Sequence, residues 1–364
     1  MIIPMVDPAG EYRSLKPAID EAVGRVLASG RYVLGPEGEA LERELAAYIG
    51  VPHAIGVNSG TDALHLALVA AGVGPGNEVI VPAFTFFATA EAVSYTGAAP
   101  VFADIDPGTL NLAAGSLERL ISSKTKAVIA VHLFGQCAAL DEIAAICRSK
   151  SLVLVEDCAQ SLGADYDGRR AGGWGDFGCF SFYPTKNLGA AGDASLITTR
   201  EKRHDEVLRM LRHHGSRQSY RHERVGWNSR LDELQAAVLR VKLGHLERFN
   251  DARTRVALRY REKLEGVNLA LPGEHGRGRH AYHQFTIQSA RRDAIREALA
   301  AQEIASSIFY PIPLHKQPAY EAVNRGRSLP AAEAAARAVL SLPMHPLLGE
   351  ASVDRVCQVI RPAA

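Results

Sequence analysis

The chain has 364 residues, 47% of them hydrophobic, a length and composition that fit a large domain plus a smaller one around a sizeable core. Its 41 Lys or Arg nearly balance 40 Asp or Glu, which gives no global reason to expect nucleic acid or an anionic membrane as a partner. The five cysteines, Cys137, Cys147, Cys158, Cys179 and Cys357, form no CxxC pair, which argues against a zinc site or a disulfide framework and for a reduced, cytoplasmic setting.

The amino terminus, MIIPMVDPAGEYRSLKP, has no basic region followed by an apolar stretch, so no signal peptide is expected. Two amphipathic segments come first, Leu15–Ser29 ending at Gly30 and Glu37–Ile49 ending at Gly50. Glycine just past a periodic segment is a common helix stop. Short apolar runs follow at His53–Val57, Glu78–Pro82, Ala99–Ala103, Ala127–His132, Leu152–Glu156, Phe177–Tyr183 and Ala194–Thr198. They read as buried strands. Helical patterns such as Ala63–Ala71 and Asp141–Arg148 lie between most of them. This alternation predicts an α/β fold, a mostly parallel central sheet with helices on both faces. The longest apolar stretch, Val79 to Ala90, is broken by Pro82 and stops at Glu91, short of the about 20 residues that span a bilayer.

Ser229 and Asp232, three apart, suggest a capping box for a helix whose apolar face holds Leu231, Leu234, Val238 and Val241. That helix is expected to lead out of the first domain. After Pro272, a half-exposed strand is expected at Tyr282–Gln288 and helices at Asp293–Gln302 and Ala331–Leu340. The expected division is a large domain over residues 1–245 and a small α+β domain over residues 246–364.

In an open parallel sheet ligands sit at the carboxyl ends of the strands, so residues that follow the strands carry the functional reading. Asn58-Ser59-Gly60-Thr61-Asp62 joins a strand to a helix. Free N–H groups and a hydroxyl at a helix N-terminus suit an anion, and Gly60 permits close approach; an ordinary helix cap is the plainer alternative. Asp157 ends a very apolar strand, where a carboxylate needs a partner such as a pyridinium N–H; a cap or a structural ion pair would also serve. Lys186 lies in a loop between two strands, flanked by Pro184 and Gly189, with Ser181 on the strand before it. A desolvated lysine there has a lowered pKa and attacks carbonyls, whereas most lysines simply face solvent. Asn228 and Arg230 offer an amide and a guanidinium ahead of the linker helix, for an anionic group or merely for capping and surface charge. Phosphate cradle, ring-nitrogen acid and imine lysine together are the parts a pyridoxal phosphate (PLP) site requires.

At these residues the chain resembles the DegT/StrS family of PLP-dependent nucleotide-sugar aminotransferases, which have the fold-type-I architecture. The likeness covers nearly the whole chain through NSGTDALHLAL from Asn58, EVIVPAFTFFATAEAV from Glu78, VHLFGQ from Val131, EDCAQSLGA from Glu156, FSFYPTKNLGA from Phe180, NSRLDELQAA from Asn228 and YPIPLH from Tyr310. It implies that Lys186 is the Schiff-base lysine and proton shuttle, that Asp157 pairs with the pyridinium nitrogen and that Gln160 contacts the ring hydroxyl. It places Gly60, Thr61 and Ser181 at the phosphate, Asn228 at the same phosphate from a partner subunit, and Phe86 on the ring face. Arg230, Tyr220, His222, Tyr310 and His315 fall at donor or sugar contacts. A homodimer, glutamate as amino donor (returned as 2-oxoglutarate) and a nucleotide-linked keto-sugar acceptor are implied with them. SGTDAL, YRHE and NSRLDELQAA resemble members that aminate C-3 more than those acting at C-4. Phe309 departs from the polar ring common in relatives, and Ala194-Ser195 from two glycines.

A dehydratase branch of this kind carries histidine in place of Lys186, and a non-catalytic regulatory relative is expected to lose Lys186 or Asp157; both residues are present. The stretch Arg200–Arg224 holds eight Lys or Arg and four acids. Without stacking aromatics or a binding motif it reads as a solvated face, including His213 and His214, that helps attract a sugar-nucleotide diphosphate. His132 is read as structural or as lining the cofactor pocket. No His, Asp and Glu set has metal-like spacing, so no metal is expected.

Overall fold

The computed structural model describes residues 2–218, 220–324 and 326–364. Its centre is a seven-stranded sheet of β1 (His53–Val57), β2 (Glu78–Pro82), β3 (Ala99–Ala103), β4 (Thr125–Val131), β5 (Val153–Asp157), β6 (Phe177–Ser181) and β7 (Ser195–Thr199). The spatial order is β1-β7-β6-β5-β4-β2-β3. Only β7 runs against its neighbours β1 and β6; the pairs β6/β5, β5/β4, β4/β2 and β2/β3 are parallel. Six carboxyl ends therefore open on the same edge.

Both faces of the sheet are covered, as near-continuous Val, Ile and Phe runs require. Val57, Val79, Val81, Ile129, Val155, Phe177 and Ile197 pack into one buried cluster with the helix α3 (Gly60–Ala70), which is buried along most of its length. The opposite face packs Ala54, Phe180 and Leu196 into a second cluster, and Ile80, Val128, Ala130 and Leu154 into another. The helices α1 (Pro8–Ser29) and α2 (Pro36–Ile49) end at Gly30 and Gly50, with φ of 66° and 82°. Both glycines are in the left-handed region that a side chain disfavours.

Two expectations need correction. Ser229 does not cap the helix that follows. That helix spans Glu233–Leu243 without a side-chain cap, because the Ser229 hydroxyl is spent on Asp62 and on the Asn58 N–H. The helix expected at Ala331–Leu340 stops at Ala338; Val339 and Leu340 instead begin the strand Val339–Leu342, which pairs antiparallel with Phe285–Gln288. Those two strands and the helices Leu246–Lys263, Arg292–Ala301 and Glu350–Ala363 share a separate buried cluster that includes Val256, Tyr260, Phe285, Ile295, Leu342, Val356 and Ile360. Leu314, Tyr320, Ala332 and Val339 belong elsewhere and pack with the core under the large sheet.

Glu233 ties the amino-terminal helices to the rest. Its buried carboxylate accepts from the N–H groups of Gly35, Glu37 and Gly38 at 3.0, 2.8 and 2.9 Å. These are orphan donors of a helix start, and a negative charge there is favoured by the helix dipole. The basic stretch after Arg200 is less solvated than expected: Arg209 and Arg212 reach inward to Glu42 at 2.9 and 2.6 Å.

Candidate active site

A cavity of about 480 Å³ opens at the carboxyl edge of the sheet. Its lining includes Gly60, Thr61, Phe86, Asp157, Gln160, Ser181, Lys186 and Tyr310, eight of the thirteen positions singled out in the sequence. β1 delivers Gly60 and Thr61 at the start of α3, where Ser59 caps the helix by accepting from Asp62 N–H at 3.2 Å. β5 delivers Asp157, which lies in register between Val131 and Cys179 on the flanking strands. β6 ends in Ser181. A Cβ built on Gly60 would stand 3.0 Å from that of Ser181, so glycine keeps this corner open.

The electrostatics of the cavity floor are unusual. Asp157 is buried, and burial pushes its carboxyl above the ordinary value. Its oxygens accept only from Thr89 Oγ1 at 3.0 Å and Ala159 N–H at 3.2 Å; among the described residues no cationic side chain is in contact with it. Burial also lowers Lys186 to about 8, partly opposed by the negative charge of Asp157. Here a base is held near neutrality and an acid is held short of full pairing. Gln160 is fixed at both ends of its amide, accepting from Phe134 N–H at 2.6 Å and donating to Tyr310 Oη at 3.2 Å. The Tyr310 ring lies 6.1 Å from that of Phe86, which is exposed.

Five anticipated residues do not line this cavity. Asn228 and His222 are exposed, and Tyr220 is 98% exposed. Arg230 is half-buried beside His213. His315 is buried with Nε2 against Glu333 at 3.1 Å. Sequence reasoning in turn missed Thr89, Asp193, His283 and Gln284. Of these, only the polar pair His283-Gln284, set between Tyr282 and the strand beginning at Phe285, left a local mark in the sequence.

His132 turns out to be structural. Its Nδ1 accepts from Ala138 N–H at 3.1 Å, so Nε2 carries the proton and donates to buried Glu156 at 2.9 Å. Glu156 also accepts from the N–H groups of Gly172, Trp174 and Gly175, and burial opposed by these bonds leaves its carboxyl low. His132, Glu156 and Cys158 are close enough for a metal, but these hydrogen bonds already occupy the imidazole and the carboxylate.

The donor set fits a phosphorylated pyridine aldehyde. A helix start with a side-chain-free corner suits the phosphate, a buried carboxylate lacking a cation suits a ring N–H, and a depressed amine suits the aldehyde. The comparisons agree with this. The model of the DegT/DnrJ/EryC1/StrS aminotransferase family matches residues 13–361. The UDP-N-acetyl-3-dehydro-alpha-D-glucosamine 3-aminotransferase of Acidithiobacillus ferrooxidans is 48% identical over 359 residues, 99% of this chain and 97% of that one. The dTDP-3-amino-3,4,6-trideoxy-alpha-D-glucose transaminase of Streptomyces venezuelae is 46% identical, covering 99% and 95%. A crystal structure of DesV from S. venezuelae in complex with a ketimine intermediate superposes with a TM-score of 0.97 at 45% identity, over 99% of this chain and 98% of that one. The family match over residues 13–361, a shared fold and this level of identity place the chain in the DegT/DnrJ/EryC1/StrS aminotransferase family, whose cofactor is PLP.

Proposed function

We propose that the protein is a transaminase that moves an amino group from glutamate to C-3 of a nucleotide-linked keto-sugar, for amino-sugar biosynthesis. The observation that carries this reading is the pairing, in one cavity, of an amine lowered to about 8 with a buried carboxylate that, among the described residues, no cationic side chain touches. PLP supplies an aldehyde and an electron-withdrawing ring when bound. Lys186 would hold the cofactor through its amine, and its Nζ, when free, would serve as the base that carries a proton within the cavity. Asp157 would keep the ring nitrogen protonated, and Gln160 and Phe86 would hold the ring. Gly60, Thr61 and Ser181 take the phosphate.

Exposed Asn228, Tyr220 and His222 and half-buried Arg230 lie outside the cavity of their own chain, which supports a homodimer in which they serve the neighbouring site. Tyr310, at the cavity wall, fits a sugar contact, and His315 fits one only through a shift away from Glu333. The names of the relatives favour C-3 over C-4 amination. We retain residues 1–245 and 246–364 as the domain division, on the separate cluster that Val256, Tyr260, Phe285, Ile295 and Val356 form, with Leu314, Tyr320 and Ala332 of the smaller unit packed onto the core of the larger. Among the described residues no helix is long and apolar enough to cross a membrane. That fact and the five buried free cysteines support the cytoplasmic reading.

The test is direct. Purified protein is yellow, borohydride fixes the cofactor to Lys186, and Lys186→Ala abolishes fixation. A panel of nucleotide-linked 3-keto and 4-keto sugars with glutamate, read by mass, identifies the product. Wild-type protein that takes up no PLP overturns the reading.

A further inference from the structure

The loop that carries Lys186 leaves and rejoins the sheet over a narrow base. Phe182 N–H donates to the Ala194 carbonyl at 2.8 Å, and Ala190 N–H to the Phe182 carbonyl at 2.7 Å. Near that base Lys242 Nζ donates to the Gly189 carbonyl at 2.8 Å. Lys186 N–H donates to the Tyr183 carbonyl at 2.8 Å, a bond inside the loop that ties it to nothing beyond. The tie beyond is made by the next residue, Asn187, which is buried. Its Nδ2 donates to the Ala281 carbonyl and to Asn250 Oδ1, both at 2.8 Å. A backbone carbonyl only accepts, so the Ala281 contact settles which end of the amide is which. Asn187 Oδ1 is thereby the acceptor for His283 Nδ1 at 3.2 Å.

The three partners are themselves fixed. Asn250 Nδ2 donates to the Leu162 carbonyl at 3.1 Å. Ala281 N–H donates to the Gly135 carbonyl at 2.8 Å and Gln284 N–H to the Phe134 carbonyl at 3.2 Å, which pins the segment on either side of His283. A buried amide that meets fixed groups at both ends has one orientation, and leaving those groups unmet is costly. All three partners lie in the carboxyl-terminal unit, whereas the loop rises from the large sheet. The Lys186 side chain enters the cavity from the backbone position next to this amide, so the placement of the amine follows from the placement of Asn187.

We infer that Asn187 is a positioning residue for the reactive amine: its amide fastens the Lys186 loop to Asn250, Ala281 and His283 and so sets where Lys186 Nζ stands in the cavity. This rests on Lys186 being the reactive amine of the proposed transaminase. Asn187→Leu keeps nearly the same branching and volume and removes all three contacts. Asn187→Ala removes them with no possibility of overpacking. Asn250→Ala removes one of the three.

The measurement is the pH dependence of acetic anhydride labelling of Lys186 in the cofactor-stripped full chain, read by mass spectrometry. Burial holds the amine down at about 8. A loosened loop admits water to it, so the labelling midpoint of both Asn187 variants rises by about one pH unit. Asn250→Ala moves it less, and Asn187→Leu combined with Asn250→Ala moves it no further than Asn187→Leu alone. In the loaded enzyme kcat for glutamate falls about tenfold or more in Asn187→Leu, while KM stays nearly constant. A purely structural Asn187 would lower the urea midpoint and leave the labelling midpoint of the folded protein in place. A labelling midpoint unmoved in both Asn187 variants, or additive shifts in the double variant, overturns the inference. The PLP reading falls separately, if wild-type protein takes up no cofactor; a yellow protein with an unmoved midpoint removes only the role of Asn187.

Discussion

Replacing Lys186 by Met stabilises the cofactor-free protein at neutral pH, and the size of the gain can be worked from the cavity. The amine falls from 10.5 in an unfolded chain to about 8 in the folded one. At ~1.36 kcal/mol per pH unit, carrying the ammonium in the folded state at pH 7 costs about 3 kcal/mol. The side chain is partly open to the cavity, and water there trims the figure to about 2–3 kcal/mol. The sign follows from proton binding. Between pH 8 and 10.5 the unfolded chain holds the proton that the folded chain has lost, so wild-type stability recovers as pH rises through this window. The gain of Lys186→Met over wild type is therefore full below pH 8 and shrinks to about 1 kcal/mol at pH 10. Urea unfolding of both proteins, followed by the fluorescence of Trp174 and Trp227, measures it. A gap that is the same at pH 7 and pH 10 refutes the argument, since the amine would then be as hydrated as any surface lysine.

Three further outcomes are expected. Asp157→Asn leaves the unfolding midpoint nearly unchanged but slows the glutamate half-reaction by orders of magnitude, each ~1.36 kcal/mol of barrier being tenfold in rate; stopped-flow absorbance reads this, and near-normal turnover means the ring-nitrogen partner is another residue. Gly60→Ala drives a Cβ to 3.0 Å from that of Ser181 and weakens PLP binding about tenfold, ~1.4 kcal/mol, as read by cofactor titration. Glu233→Ala strands the N–H groups of Gly35, Glu37 and Gly38 and lowers stability by about 2–3 kcal/mol, with Glu233→Gln intermediate in the same urea titration.

Most of the fold was legible because buried parallel strands are short, apolar and bounded by turns. Each strand of the large sheet lies within two residues of its expected span, and β1, β2 and β3 match at both ends. Val339 and Leu340 were lost to a helix because alanine-rich periodicity ran into them without a break; pairing with Phe285–Gln288, set by distant chain, decides their state. The Ser229 spacing pointed to a cap, but a hydroxyl bonds whatever tertiary structure brings near it, here Asp62. The core of the site was readable for a physical reason: Gly60, Asp157, Ser181 and Lys186 sit at or just past strand ends, where local pattern says the sheet edge must be. Thr89 and His283 were not, since Thr89 meets Asp157 from a helix, behind the cavity wall, and His283 reaches the cavity from a segment almost a hundred residues beyond Lys186. Tyr220 and His222 came from resemblance alone, and although the local pattern marked Asn228 and Arg230 as an anion-binding pair, nothing local says which wall any of the four faces.

Asp157 is pinned by backbone ladders on either side, whereas Tyr220, His222 and Asn228 ride on an exposed stretch outside the sheet. On the proposed roles, cofactor reactivity rests on the strand ends and part of the sugar contact on Tyr220 and His222, so an exchange of those two positions between paralogues is expected to change which sugar is accepted while leaving cofactor uptake intact.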